Sequence, residues 1–418
     1  MIHITNPTDC CGCEACVQAC GKQCIDLHRD EKGFLYPRVN EDLCVNCGLC
    51  EKVCPVLHPF ATRAPLQVLA SRNQDEKERL SSSSGGVFVL LAKQIIKHGG
   101  VVFGVAFDDQ WHPVHRYCET IEELAQFQGS KYVQSKIGIT YIQARNFLNE
   151  GRDVLFSGTP CQIAGLKRFL RKDYSNLLTV EVICHGVPSP GVWEDYLVSI
   201  RRPKGAVAGE NTVLSSLNDA PSIEGISFRD KQNGWRKYGF VVRFSADQRE
   251  AEKFGLSSVK AKKNIVEYHQ DNLFMRAFLK NLILRPSCFS CPAKHGRSGA
   301  DMSLGDFWSI GQYLKEWNDD KGVTLVYLNT EKGQSYYRLI KCTDIALDPS
   351  VRYNKMFYES TVEKYPSEKF WMLYKQNGLK SIQPICELLK PSHSSTLLSR
   401  AFSKFKRILN IVLPKRNN

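Results

Sequence analysis

Cys10, Cys13, Cys16 and Cys20 stand in the spacing C-x2-C-x2-C-x3-C, and Cys44, Cys47, Cys50 and Cys54 repeat it with Pro55 directly behind. Three cysteines two residues apart can take successive corners of one 4Fe-4S cubane, while the fourth, on a short helix, points back to a neighbouring cubane. The spacing therefore assigns Cys10, Cys13, Cys16 and Cys54 to one cluster, and Cys44, Cys47, Cys50 and Cys20 to the other. A pair of zinc knuckles also needs four ligands per site, but it gives no reason for the third-to-fourth spacing to recur. Gly21 stands where the first run would ordinarily carry proline, and Cys11 and Cys24 are left over as packing thiols.

The chain has 418 residues and 17 cysteines, ten of them between Cys10 and Cys54. Clustered cysteines without a secretion signal point to metal or redox chemistry, because a reducing compartment keeps no dense disulfide framework. No apolar run approaches the roughly 18 residues of a spanning helix. A soluble, cytoplasmic protein is expected. Its 43% apolar content supports a full core and more than one domain. The formal net charge of +13 falls by roughly 2 for each cluster on four thiolates, so no nucleic-acid partner is expected. Residues 1–60 read as a bacterial-type 2x4Fe-4S ferredoxin domain. Such a domain is a wire for single electrons, and it needs a redox partner protein or a small-molecule electron carrier.

The elements that must position any further chemistry follow a linker from Pro55 to Pro65. Ser81 to Ser84, Gly85 and Gly86 precede a helical pattern from Val87 to His98, and Val101 to Phe107 reads as a buried strand. A Ser/Gly turn feeding a helix offers N–H groups and a positive dipole end to an anion, although such turns also serve as plain caps. No Walker loop or G-x-G-x-x-G fingerprint is present. Thr120 and Glu123 form a capping box, and Gly129, Ser130 and Lys131 make a turn that could hold an anion. A solvated surface lysine is the plainer reading of Lys131.

Asp153 to Ser157 reads as a strand, Thr159 and Pro160 as the start of a helix, and Leu177 to Ile183 as the next strand. A strand–helix–strand unit of this length makes its strands parallel, which brings Cys161 and Cys184 to one sheet edge. Cys288-x2-Cys291 supplies a second pair, following an apolar helix expected to end near Leu284. A third 4Fe-4S cluster on Cys161, Cys184, Cys288 and Cys291 is expected, with ordinary buried cysteines and a zinc or redox CxxC as the alternative.

These residues resemble the family of coenzyme F420 hydrogenase/dehydrogenase beta subunits, in the variant with an N-terminal two-cluster ferredoxin. The resemblance rests on Ser82-Ser83-Ser84-Gly85-Gly86, the run Gly129 to Ser135, Ser157 to Gln162, Cys184 to Ser189, and Leu304 to Trp308. It implies an FAD held by Ser82, Ser83, Ser84, Gly85, Gly86, Gly129, Ser130, Lys131, Tyr132, Gln134, Ser135 and Thr159. Lys131 and His185 are its candidate catalytic residues; His185 would serve the cluster, hold a proton near the flavin, or merely bond the turn of Gly186 and Pro188. It also implies coenzyme F420 as a carrier, with a ferredoxin-fed reductase and a non-catalytic electron-transfer subunit as alternatives.

The expected fold is α+β/α/β: the ferredoxin domain (1–60), then a mixed α/β flavin-binding domain with parallel βαβ units and an antiparallel hairpin. The N-terminal region of the beta subunit is placed at 66–150, its C-terminal region with the third cluster at 151–345, and a helical tail at 346–418. Asn233-Gly234, between Ile226 to Lys231 and Arg236 to Phe244, predicts a type I′ hairpin that gives the sheet an antiparallel addition. Trp193, Tyr196, Leu197 and Ile200 form a stripe read as core. Arg297, Asp301 and Asp306, after the CxxC, could close over the same site as His185, with capping and turn roles for the two aspartates as the plainer reading. Phe402, Phe405, Leu409 and Val412, flanked by Arg400, Lys404 and Arg407, form an amphipathic face suited either to peripheral contact with the inner face of the membrane or to docking on the body.

Overall fold

In the computed structural model, which describes residues 1–201, 222–245 and 264–389, Val101, Val102 and Phe103 are all fully buried. Successive strand residues point to opposite faces, so this sheet is covered on both. Val102, Leu155 and Leu178 pack on one face with the helix Val87–Lys97. Val101, Phe103, Val154, Phe156 and Leu177 pack on the other with the helices Thr140–Asn149 and Pro160–Leu170.

The strands are β1 (Ile25–Arg29), β2 (Leu35–Val39), β3 (Gln67–Asn73), β4 (Val101–Phe107), β5 (Pro113–Cys118), β6 (Val154–Gly158), β7 (Leu177–Val182), β8 (Ile223–Asp230), β9 (Gly239–Phe244), β10 (Ile265–Tyr268), β11 (Met302–Asp306), β12 (Thr324–Leu328) and β13 (Cys342–Leu347). The helices used below are α1 (Ala15–Ala19), α2 (Leu49–Lys52), α3 (Glu76–Ser81), α4 (Val87–Lys97), α5 (Thr140–Asn149), α6 (Pro160–Leu170) and α7 (Pro190–Arg201). The main sheet runs β13-β3-β12-β11-β7-β6-β4-β5. Its centre, β11-β7-β6-β4, is parallel. Two antiparallel pairings separate β3 from β11, so β3 points the same way. The carboxyl ends of these five strands therefore share one edge. The regions on either side of residue 150 contribute strands to this one sheet and are not separate bodies.

The ferredoxin segment completes the covered face. Ile139 precedes α5 without a side-chain cap, which leaves the helix's first N–H groups to find partners elsewhere. Gln18 of α1 accepts from Tyr141 N and Ile142 N at 3.0 and 3.2 Å, and Glu14 accepts from Ile137 N and Gly138 N at 2.9 and 3.0 Å. A Cβ on Gly165 of α6 would stand 2.8 Å from Cys13 Cβ, so glycine is what lets α6 approach the cysteine loop.

Three expectations change. The Asn233-Gly234 hairpin belongs to a separate antiparallel sheet, β10-β9-β8, and does not extend the main one. Its connection is no two-residue type I′ turn, since pairing ends at Asp230 and Gly239. Trp235 N instead donates to Asp320 O, and the Lys231 ammonium turns inward to Arg79 O, Ser84 O and Lys321 O. The helix before the CxxC ends at Leu279 and not near Leu284.

Trp193, Tyr196 and Leu197 are buried in an aromatic core shared with Phe228, Phe240 and Phe274. Phe370, Trp371, Ile382 and Ile385, from the helices Ser367–Asn377 and Ile382–Leu388, join it. The amphipathic face from Phe402 to Val412 lies outside the described residues. Among those described, no helix is long and apolar enough to cross a membrane.

Candidate redox site

A cavity of about 670 Å³ opens along the carboxyl edge of the sheet, where parallel strands ordinarily present ligands. Three of its walls lie at the ends of aligned strands, Ser157 to Thr159 at β6, Ile183 to Gly186 after β7, and Asp306 and Trp308 at β11, while Ser82 to Ser84 and Gly86 come from the turn between α3 and α4. Gly129, Ser130, Lys131, Tyr132 and Ser135 close another side. Ser130 N and Oγ both donate to Ser83 Oγ, at 2.7 and 2.9 Å, which ties that segment to the serine loop.

The serine loop is fixed from behind. Ser82 and Ser84 hydroxyls donate to Glu78 O and Val323 O, and Gly85 N donates to Thr324 Oγ1. Gly86, at φ +85°, turns the chain into α4. The Lys131 ammonium reaches only the carbonyls of Gln128 and Gly129, at 3.3 and 3.4 Å, and lies over the Phe107 ring. No carboxylate is among these partners, and burial lowers its pKa to about 8. A desolvated cation beside the amino end of a helix attracts an anionic group into the cavity.

The four later cysteines meet behind this wall. Thr159 Oγ1 lies 3.2 Å from Cys161 Sγ, and Cys288 Sγ accepts from Val187 N at 3.4 Å. Cys184 and Cys288 each interact electrostatically with Cys161 or Cys291. Burial raises the Cys184 and Cys291 thiols to about 12 and 11 and carries Cys288 higher still; Cys161 is raised first by its hydrogen bond with Cys11, then by burial. In the ferredoxin segment Cys10, Cys13, Cys16 and Cys54 line one small pocket, the set that the spacing assigns to a single cluster. Cys24 lies 3.4 Å from Cys20, beside the second set. Among the described residues, no three His, Cys, Asp or Glu side chains converge tightly enough to hold a single metal ion.

Residues 9–57 match the 4Fe-4S dicluster domain, and residues 151–349 match the C terminus of the coenzyme F420 hydrogenase/dehydrogenase beta subunit. Over just under half of its length, then, the chain is similar to the beta subunits of coenzyme F420 hydrogenases and dehydrogenases, behind a dicluster segment. It is 22% identical over 191 residues to a component of the F420H2 dehydrogenase of Methanosarcina mazei, covering 42% of this chain and 53% of that protein. It is 23% identical over 193 residues to the coenzyme F420-dependent sulfite reductase of Methanocaldococcus jannaschii, covering 46% of this chain and 30% of that protein. The chain thus spans about half the length of the first relative and less of the second. A chain of the F420-reducing [NiFe] hydrogenase complex from Methanosarcina barkeri aligns with 78% of this chain and 93% of its own length, at 15% identity and a TM-score of 0.41.

The match to a dicluster domain assigns iron-sulfur clusters to the N-terminal segment. The later four suit a further cluster in chemistry: four half-buried cysteines that interact with one another, a set able to offer a thiolate to each corner of a cubane. The cavity suits a dinucleotide in size, in its helix end and in its aromatic walls of Tyr132, Tyr238 and Trp308.

Two of the expected cofactor residues stand elsewhere. Gly85 is packed against Ser71 and Thr324, and Gln134 points to the ferredoxin segment, where Nε2 donates to Cys11 O at 3.3 Å. His185 lines the cavity, but its Nε2 is 2.6 Å from Asn281 Oδ1, not bonded within the Gly186–Pro188 turn. Asn281 Nδ2 donates to Thr361 and Val362, so its oxygen accepts and His185 Nε2 carries the proton. Burial lowers the His185 pKa, which leaves Nδ1 as an acceptor. Of Arg297, Asp301 and Asp306, only Asp306 reaches the cavity, where it pairs with the buried Arg229 and accepts from Trp235 Nε1. Arg229 and Arg285 escape the sequence reading altogether. The available signal was a basic residue in an apolar stretch: Arg285 follows Leu282-Ile283-Leu284.

Proposed function

We propose that this protein is an electron-transferring oxidoreductase subunit whose cavity holds FAD and whose Cys161 set holds a third 4Fe-4S cluster. Reducing equivalents would pass between a deazaflavin carrier, coenzyme F420, and a redox partner protein reached through the ferredoxin domain. Cys184 carries this reading: it lines the cavity and belongs to the cysteine set that meets Cys11 of the ferredoxin segment. Both curated relatives carry coenzyme F420 in their names, which supports that carrier over a ferredoxin.

A bound flavin exchanges a hydride with a two-electron carrier and single electrons with a cluster. The chain's own residues divide the remaining work. The amino end of α4 and the Lys131 ammonium hold a pyrophosphate in place. Ser83 and Ser130, by their mutual bonds, keep the two binding loops at a fixed separation. His185 Nδ1 can hold a proton at the cavity wall while Asn281 fixes its ring.

The test is anaerobic mixing of the purified protein with reduced coenzyme F420. Bleaching of the flavin absorbance, with oxidation of the added coenzyme, is expected. No bleaching, in protein whose flavin dithionite does reduce, contradicts the reading and favours a ferredoxin-fed reductase.

A further inference from the structure

Arg285 is fully buried, and a buried guanidinium is costly unless an opposite charge or a full set of acceptors compensates it. Its Nε donates to Cys10 O at 2.8 Å, Nη1 to Gln134 Oε1 at 3.0 Å, and Nη2 to Leu35 O at 2.9 Å and Cys10 Sγ at 3.5 Å. The Tyr36 and Phe34 rings lie 4.3 and 5.4 Å from Cζ. None of these partners is a carboxylate. The buried Glu14 on the same loop is taken up by Ile137 N and Gly138 N. Among its hydrogen-bond partners, the sulfur of Cys10 is the one that can carry negative charge at neutral pH, and of the charges that face this cation, which include Cys11 and Cys288, Cys10 acts on it most strongly.

The surroundings are built to keep the guanidinium there. Gly12, at φ +70°, leaves the space: a Cβ would stand 2.8 Å from Arg285 Nη1 and 2.3 Å from Gln134 Nε2. On the other side, Arg285 N donates to Val187 O and Arg285 O accepts from Cys288 N. The residue is thus anchored in the loop of the later cysteines while its charge rests on the first ferredoxin run.

We infer that Arg285 is the fixed counter-charge of the cluster held by Cys10, Cys13, Cys16 and Cys54, and that it raises that cluster's reduction potential above that of its neighbour in the ferredoxin domain. This rests on the dicluster assignment of the N-terminal cysteines. Taking up one electron makes a thiolate-bound cluster more negative by one charge and forms or breaks no bond. A cation donating to a ligand sulfur therefore favours the reduced state, as net charge and hydrogen bonds to sulfur generally do. The cation beside the Cys44 set is of another kind: the exposed amino group of Met1 faces Cys44 and Cys50 but pairs with Glu51 at 3.3 Å, while Cys44 Sγ meets Asn46 and Cys50 Sγ accepts from Ile2 N.

The test is a potentiometric titration of the full-length protein, followed by electron paramagnetic resonance under anaerobic conditions, with iron content measured in parallel. Arg285→Gln should lower one ferredoxin-domain potential by about tenfold in the one-electron reduction constant, ~59 mV, and leave the other in place. Arg285→Lys should restore most of that difference, although both variants lose stability through the missing carbonyl bonds. A purely structural role would lower stability in both variants and move neither potential, and that result overturns the inference. Equal displacement of the two potentials, or a lysine variant as low as the glutamine one, overturns it too. If Arg285→Gln fails to retain iron, Gln134→Glu sets a carboxylate against the guanidinium; the same potential should then fall, and an unchanged one is contrary. Absence of two ferredoxin-type signals in the unsubstituted protein overturns the dicluster assignment and the inference with it, whereas two signals that do not respond to substitution overturn the inference alone.

Discussion

Cys11, in the loop of the first ferredoxin run, packs in one core cluster with Cys161 in the first turn of α6, and each thiol shifts the pKa of the other. The contact joins two cysteine sets that the sequence keeps far apart. Cys11 follows Cys10, a member of the first ferredoxin set, and Cys161 belongs to the set whose Cys184 lines the cavity. Electron transfer between cofactors depends on such close approach, and Gly165 makes the approach possible one helical turn along α6.

Substituting Gly165 by alanine should therefore separate the two bodies. The added methyl would meet Cys13 Cβ at 2.8 Å and the Tyr141 hydroxyl at 3.1 Å. Alanine ordinarily gains about 1 kcal/mol over glycine inside a helix, but overpacking against a fixed cysteine loop costs about 1–3 kcal/mol, and the clash should win. Anaerobic denaturant unfolding should show a lower midpoint; an unchanged or raised midpoint would show that the loop yields freely.

Lys131 gives opposite effects on stability and binding. Its pKa, lowered to about 8 in the fold from an ordinary 10.5, makes folding unfavourable to the ammonium below about pH 8. That penalty fades as pH rises from about 8 toward 10.5. Lys131→Met should thus raise the unfolding temperature of the flavin-free protein at pH 7 and weaken flavin binding by about tenfold. In the unsubstituted protein, binding should weaken above about pH 8. Calorimetric titrations with FAD at several pH values would show a flat profile for the variant, and equal profiles for both proteins would rule out this role for the ammonium.

The sheet edge on which the cavity opens was legible because several of its loops follow strands. Val101 to Phe107 is an uninterrupted apolar run and Leu177 to Ile183 is one broken only by Thr179 and Glu181, a pattern that a sheet covered on both faces buries, and Cys184 directly follows the second. What could not be read is how distant segments satisfy one another's polar groups. Nothing local tells that Lys231 turns inward to hold Ser84, that Gln18 caps α5, or that Gln134 serves the ferredoxin loop and not the cavity. The Asn233-Gly234 turn failed for the same reason: Asp320 takes the Trp235 and Arg236 N–H groups and opens the hairpin.

Glu181 offers a pH test of the sheet interior. It is buried, accepts from Ser303 Oγ at 2.6 Å, and has its pKa raised by burial to about 7 from 4.5. A carboxyl raised in the fold loses stability as pH rises from about 4.5 to 7, and the deficit stays above that. Glu181→Gln, which keeps an acceptor for Ser303, should add about 3 kcal/mol at pH 8 and almost nothing at pH 4, since each pH unit between the two pKa values is worth about 1.36 kcal/mol. Urea unfolding at both values decides it; equal gains at the two would show that the charge is not the cause.

The most direct test of the central claim, that the cavity communicates with the ferredoxin domain through the later cysteine set, uses Cys288→Ala. Cys288 does not line the cavity, whereas Cys184 does. Stopped-flow mixing of the anaerobic variant with reduced coenzyme F420 should still bleach the flavin, while the ferredoxin clusters, present and reducible by dithionite, stay oxidised on the timescale at which the unsubstituted protein reduces them. Unimpaired cluster reduction in the variant would contradict the account and show that electrons reach the ferredoxin domain by another route.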